Sequence, residues 1–186
     1  MSMDLTGKLL IAMPGMGDPR FGHSVVFLCS HGQDGAMGLI VNKPSQDLKV
    51  FDLLGQLDIE ARPSVPNAPV YFGGPVETAR GFVLHSPGNG NRAGSMKVND
   101  GFAMTATVDI LEDIAAGVGP GEAILALGYA GWGPGQLEGE IAQNGWLTGD
   151  AEPDLVFSQP DQTKWSAALN ALGIDPLSLS AEAGRA

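Results

Sequence analysis

Glycine and proline interrupt this chain so often that no long element can form: 27 Gly and 13 Pro fall among 186 residues. Glycine accommodates positive-φ turns, and proline lacks the amide that a ladder or helix interior needs. Such a chain must be built from short pieces joined by tight turns. The apolar runs between the breaks are of strand length: residues 8–12, 24–30, 37–41, 70–72, 81–84, 102–105, 123–128 and 155–157. Several are rich in β-branched and aromatic residues, as strands are. Asp34-Gly35 predicts a hairpin between the second and third, and Gly38 predicts a bulge or a close backbone neighbour. Helical spacing marks residues 50–57, 108–116, 136–144 and 165–172. Residues 14–22, 62–69 and 86–95 read as loops.

Strands and helices interleave without a regular βαβ rhythm. The expected fold is α+β: a single-domain α/β sandwich of mixed, strongly twisted β-sheets covered by helices. Residues 1–172 form the domain, and 173–186 a loosely ordered tail. A hydrophobic content of 44% with 17% charged residues fits a globular chain. The net charge is −11 and the ten basic residues are dispersed. A polyanion is repelled by such a chain and meets no basic run, so direct nucleic-acid binding is disfavoured. The lone cysteine, Cys29, excludes an intramolecular disulfide. The apolar run at 9–13 stops at Pro14, too short for a signal peptide's core, and no stretch has the length of a membrane span. The expected setting is cytoplasmic.

Two segments stand out. In residues 128–141, GYAGWGPGQLEGEI, an apolar strand reads into a glycine-dense loop that opens a helix. Free amides at such a junction can hold an anion or carbonyl, and Tyr129 and Trp132 between glycines can wall a ligand or peptide groove. Equally, the glycines can serve only to pack loop and sheet tightly, with both rings in the core. Glu138 and Glu140, at i and i+2, do not share a helical face. Residues 70–76, VYFGGPV, place Gly73 and Gly74 before a proline, either as a tight bend or as the wall of a site. Asn42 closes the third strand, where it caps a turn or donates to a ligand.

His31 and His85 both end apolar strands. Cys29 and His31, at i and i+2, share a face if the strand runs that far. A thiol–imidazole pair is potentially nucleophilic, and the three side chains are potential zinc ligands. The bland alternative is a buried thiol and two histidines bonded to backbone. Metal spacing is weak, with no CxxC, HxxxH or HExxH. The GxGxxA match at 88–93 opens no helix and reads as accidental. No P-loop or GxSxG elbow occurs.

Five segments in order carry a family resemblance: GKLLIAMPGMGDPRF from Gly7, GAMGLIVNKP from Gly35, VYFGGPV from Val70, GFVLH from Gly81 and GYAGWGPGQLEGEI from Gly128. With Trp146 they resemble the AlgH family, also called YqgE-like, over residues 7–165. The resemblance implies an α/β sandwich of mixed, coiled sheets and brings a label of transcriptional regulator. It supplies no catalytic residues, cofactor or metal.

The expected function is a non-enzymatic binding protein that acts on gene expression indirectly, through an unknown protein or small-molecule partner. Its expected site is Tyr129, Trp132 and Gln136, with Gly73 and Gly74 shaping a neighbouring wall and Asn42, His31 and His85 as further candidates. The alternative is a thiol- or histidine-dependent transferase or hydrolase using Cys29, His31 and His85.

Overall fold

The computed structural model describes residues 4–14, 22–87, 95–106, 108–119 and 122–175. Most of the loops expected at 14–22 and 86–95, the GxGxxA match at 88–93 and most of the tail lie outside the described residues. Ten strands are described: β1 (Lys8–Ala12), β2 (Val25–Gly32), β3 (Gly35–Ile40), β4 (Pro44–Lys49), β5 (Pro69–Phe72), β6 (Val76–His85), β7 (Ser95–Lys97), β8 (Ala103–Thr105), β9 (Ala123–Trp132) and β10 (Trp146–Asp150). The described helices are α1 (Val50–Gln56), α2 (Val108–Ala115), α3 (Gln136–Ala142) and α4 (Lys164–Ala171).

The main sheet runs β10-β1-β2-β3-β9-β6-β8-β7, with β5 inserted beside β9 and β4 beside β5. The pairings are antiparallel except β5 with β9. This mixed α+β architecture is a curled sheet, a half-barrel with helices against it. Alternation along the strands sorts apolar side chains into separate cores. Leu9, Ile11, Val25, Phe27, Leu39, Phe82 and Leu84 meet α4 on one face. Leu10, Val26, Leu28, Ile40 and Ala130 meet Leu137 of α3 on the other. A third cluster joins α1 and α2 through Leu54, Ile110 and Leu111 to Val83 and Leu125.

β7 and β10 are strands the sequence pattern does not predict, and three further elements depart from it. Residues 155–157 form part of a π-helical turn, Asp154–Ser158, rather than a strand; three apolar residues after Pro153 suit either geometry. β4 carries no apolar alternation and pairs only at its ends, Pro44 with Tyr71 and Lys49 with Pro69. Most consequentially, β9 does not stop at Gly128. The glycine-dense stretch continues as strand to Trp132, with Ala36, Met37 and Gly38 of β3 opposite Trp132, Gly131 and Ala130.

Candidate functional site

Because β9 stays extended, Tyr129 and Trp132 project from opposite faces of the sheet. One motif therefore serves two environments. On the Trp132 face everything is tied down. Glu140 Oε1 accepts from the indole of Trp132 at 3.1 Å and from that of Trp146 at 2.9 Å. Its Oε2 accepts from Gln136 Nε2 at 2.9 Å, and Gln136 Oε1 accepts from the Gly133 amide at 3.0 Å. The two indoles meet edge to face at 6.0 Å and are both buried. Gln136 is thus a strut of this clamp, which bolts α3 to the sheet.

His31 lies beside the clamp. The Leu5 amide donates to its Nδ1 at 3.0 Å, so that nitrogen carries a lone pair and Nε2 donates to Glu138 at 3.0 Å. That bond holds the Glu138 carboxyl below its ordinary range. Glu138 and Glu140 diverge to separate partners.

Cys29 is not beside His31. β2 does run through both, but its register against β3 slips between Leu28 and Ser30. The extra residue resets the alternation, so Cys29 faces the Phe27 core while His31, opposite Ala36, faces α3. Among the described residues the thiol's polar contact is the Phe27 carbonyl, at 4.0 Å, and burial pushes its pKa up to about 12. His85 is buried elsewhere: Nδ1 donates to Ser86 O at 2.8 Å, and Nε2 meets the Thr105 hydroxyl at 2.8 Å. Cys29, His31 and His85 are each engaged separately. Among the described residues no group of three or more His, Cys, Asp or Glu could hold a metal ion. Asn42 ties a turn, accepting from the Val25 amide at 3.0 Å and donating to His23 O at 2.9 Å.

The two glycine motifs do meet. Gly73 N donates to Leu127 O and Gly73 O accepts from Ile40 N, each at 2.9 Å, stitching β3 to β9. A Cβ on Gly73 would overlap Gly128 O, one on Gly74 would overlap the Tyr129 carbonyl, and one on Gly128 would overlap Gly74 O. Gly74 and Gly128 also hold positive φ, +156° and +79°. Only glycine permits this backbone crossing.

On the Tyr129 face the sheet opens into a hollow of about 640 Å³, within the size range of small-molecule sites. Its lining includes Ser30, Asp34, Met37, Val76, Arg80, Phe82, Met104 and Tyr129, with Gly131 and Trp132 at the β9 end. Gly131 adds no side chain beside the Tyr129 ring, and Tyr129 packs edge to face on Phe82 at 5.7 Å. Arg80 comes from an irregular stretch of β6. Val76 pairs with Tyr129 and Gly81 with Leu127, so four β6 residues, 77–80, oppose Gly128 alone. Glu77 there takes φ +47°, uncommon for a side-chain-bearing residue. The bulge brings Arg80 to the hollow, its guanidinium 5.1 Å from the Phe82 ring centre.

Sequence reasoning did not single out Met37, Arg80, Phe82 or Met104, because no local motif announces them; the topology gathers them from β3, β6 and β8. It also missed a buried polar cluster. Lys164, 1% exposed, donates through Nζ to Val41 O at 2.7 Å and pairs with Asp161 at 2.7 Å. Asp161 also accepts from the Tyr71 hydroxyl, at 2.8 Å to Oδ2. Burial lowers the Lys164 pKa against the pull of Asp161, and burial followed by Asp161 raises that of Tyr71. The cluster pins the last helix to β5 and the end of β3.

A family profile described as AlgH-like matches residues 9–177. A UPF0301 protein of Ruegeria pomeroyi is 68% identical over 185 residues, covering 99% of this chain and all of that protein. The solution structure of the AlgH protein from Pseudomonas aeruginosa superposes with a TM-score of 0.79 at 42% identity, covering 96% of this chain and 94% of that one. A crystal structure of a Corynebacterium diphtheriae protein shares the fold, with a TM-score of 0.74 at 22% identity over 96% of this chain and 91% of that one.

Proposed function

This chain belongs to the AlgH-like family, and from that premise we propose that it is a binding protein whose site is the hollow on the Tyr129 face. One observation carries the reading: about 640 Å³ of open space sits over Met37, Phe82, Met104 and Tyr129, while the other half of the same motif is closed. Thioethers and aromatic rings offer an adaptable apolar floor. Any effect on gene expression is then indirect, through the occupant of the hollow, because the chain carries −11 net charge and no clustered basic element. The setting is cytoplasmic in this reading; among the described residues no helix is long and apolar enough to cross a membrane.

The test fills the hollow without touching the clamp. Gly131 holds an ordinary φ, and a Cβ there would lie 3.3 Å from the Tyr129 ring, so Gly131→Leu occupies the space. Native mass spectrometry and affinity capture from cell extract are run on both proteins. The expected result is a bound species on the wild type that is absent from Gly131→Leu at equal folded content. An identical catch on both removes the hollow as the site.

A further inference from the structure

We propose that the hollow takes an amphipathic small molecule with a single negative head, a monocarboxylate on an apolar body, and that Arg80 selects the head. This rests on the hollow being the binding site. The floor is set by Met37, Phe82, Met104 and Tyr129, which can cover an apolar body but supply no counter-charge. Among the described residues that line the hollow, Arg80 is the only cation.

Arg80 is placed there by backbone irregularity, not by regular strand alternation. Residues 77–80 bulge from β6, Glu77 adopts φ +47°, and Gly128 supplies the room, since a Cβ there would also lie 3.3 Å from Thr78 Cα. Bulges that re-aim one side chain recur beside functional sites. Stacking over Phe82 fixes the base of the guanidinium. Its ion pair with Glu77 is long, 3.6 Å, and both side chains are more than half exposed. Such a surface pair is weak and exchangeable, so the guanidinium fork is available to a carboxylate, which it matches in bidentate geometry.

The surrounding charge decides how negative the head is. Asp34 also lines the hollow, and the whole chain is −11. One arginine against that background favours a monoanion over a phosphate dianion or a polyphosphate.

Octanoate serves as the probe, octanol as its uncharged match and octyl phosphate as the more highly charged one. Each is titrated into wild type and Arg80→Gln, with the Met37 and Met104 methyl signals as the readout of place. The expected result is that octanoate shifts both methyls and binds more tightly than octyl phosphate. Arg80→Gln should weaken octanoate about tenfold or more while leaving octanol unchanged. Equal binding of octanoate and octanol, or octanoate insensitive to Arg80→Gln, overturns the carboxylate assignment yet leaves the hollow as a site. Tighter binding of octyl phosphate overturns the monoanion. If no probe moves either methyl, the inference falls, and the Gly131→Leu comparison then decides separately whether the hollow binds anything.

Discussion

The two faces of β9 carry residues of one short motif and end in opposite states. Around Trp132 each polar atom of the clamp is answered within α3 and β9–β10, with Glu140 accepting from two indoles and an amide side chain. Around Tyr129, three residues earlier, the ring stands over open space beside a glycine. An odd separation along an extended strand is the whole cause. The lesson is that aromatic residues close together in sequence do not make a site together: here the tryptophan secures the scaffold and the tyrosine faces the hollow.

The comparison breaks most decisively at the backbone crossing that both faces share. Gly74→Ala should lose about 4 kcal/mol or more, because its Cβ would meet backbone that cannot swing aside. Denaturant unfolding checks this, and a loss under about 1 kcal/mol would mean the crossing is not tight. Glu140→Ala comes next. It removes the acceptor shared by two buried indole N–H groups and should cost about 3 kcal/mol, with Glu140→Gln retaining part, while probe binding in the hollow is unchanged in the folded protein. Loss of probe binding in parallel would show that the faces are coupled.

The third test asks whether the core beneath the open face is dry. Burial raises the Cys29 pKa from 9.0 to about 12. A folded pKa above the unfolded one gives stability that is complete below pH 9 and drains away as pH rises toward 12. Wild type should thereby lose about 2 kcal/mol by pH about 10.5 through this group, and Cys29→Ala should flatten that part of the curve. A thiolate forming near pH 9 in the folded protein would mean that water reaches the core. The smallest effect belongs to Arg80→Gln, expected to change stability by less than about 0.5 kcal/mol because its ion pair is exposed. A larger loss would make Arg80 a structural residue.

Much of the sheet was legible because apolar runs of strand length are direct evidence of burial. β1, β2, β3 and β5 lie where their sequences point, and the helices follow their periodicity to within a few residues. What was hidden falls into kinds. Glycine weakens any strand signal, so residues 129–132 read as loop although β3 and β6 flank and pair them. Polar β4 carries no pattern because α1 and β5, not alternation, hold it. The bulge that parts Cys29 from His31 depends on what lies across the ladder, which β2 alone does not encode. Lys164 shows no local sign of burial: Asp161 is three residues away, but Val41 and Tyr71, which bury the ammonium, come from distant parts of the chain. Of the candidate site, Tyr129 was visible as an aromatic ring between glycines, whereas Met37, Arg80, Phe82 and Met104 become neighbours only through topology.

The slip in β2 between Leu28 and Ser30 has a consequence for anyone editing this strand. It restarts the count of odd and even positions, so the surplus residue acts as a phase marker more than as a chemical group. Replacing Cys29 with alanine preserves that phase. Deleting it would leave Leu28, Ser30 and His31 consecutive opposite Gly38, Met37 and Ala36, so the ladder would close without the bulge and the flanking side chains would keep their faces and partners, at the loss of one side chain from the Phe27 core. A variant library over this strand should therefore forgive both exchanges at position 29 and a one-residue shortening there, and reject a further one-residue insertion, which would carry flanking side chains to the opposite face.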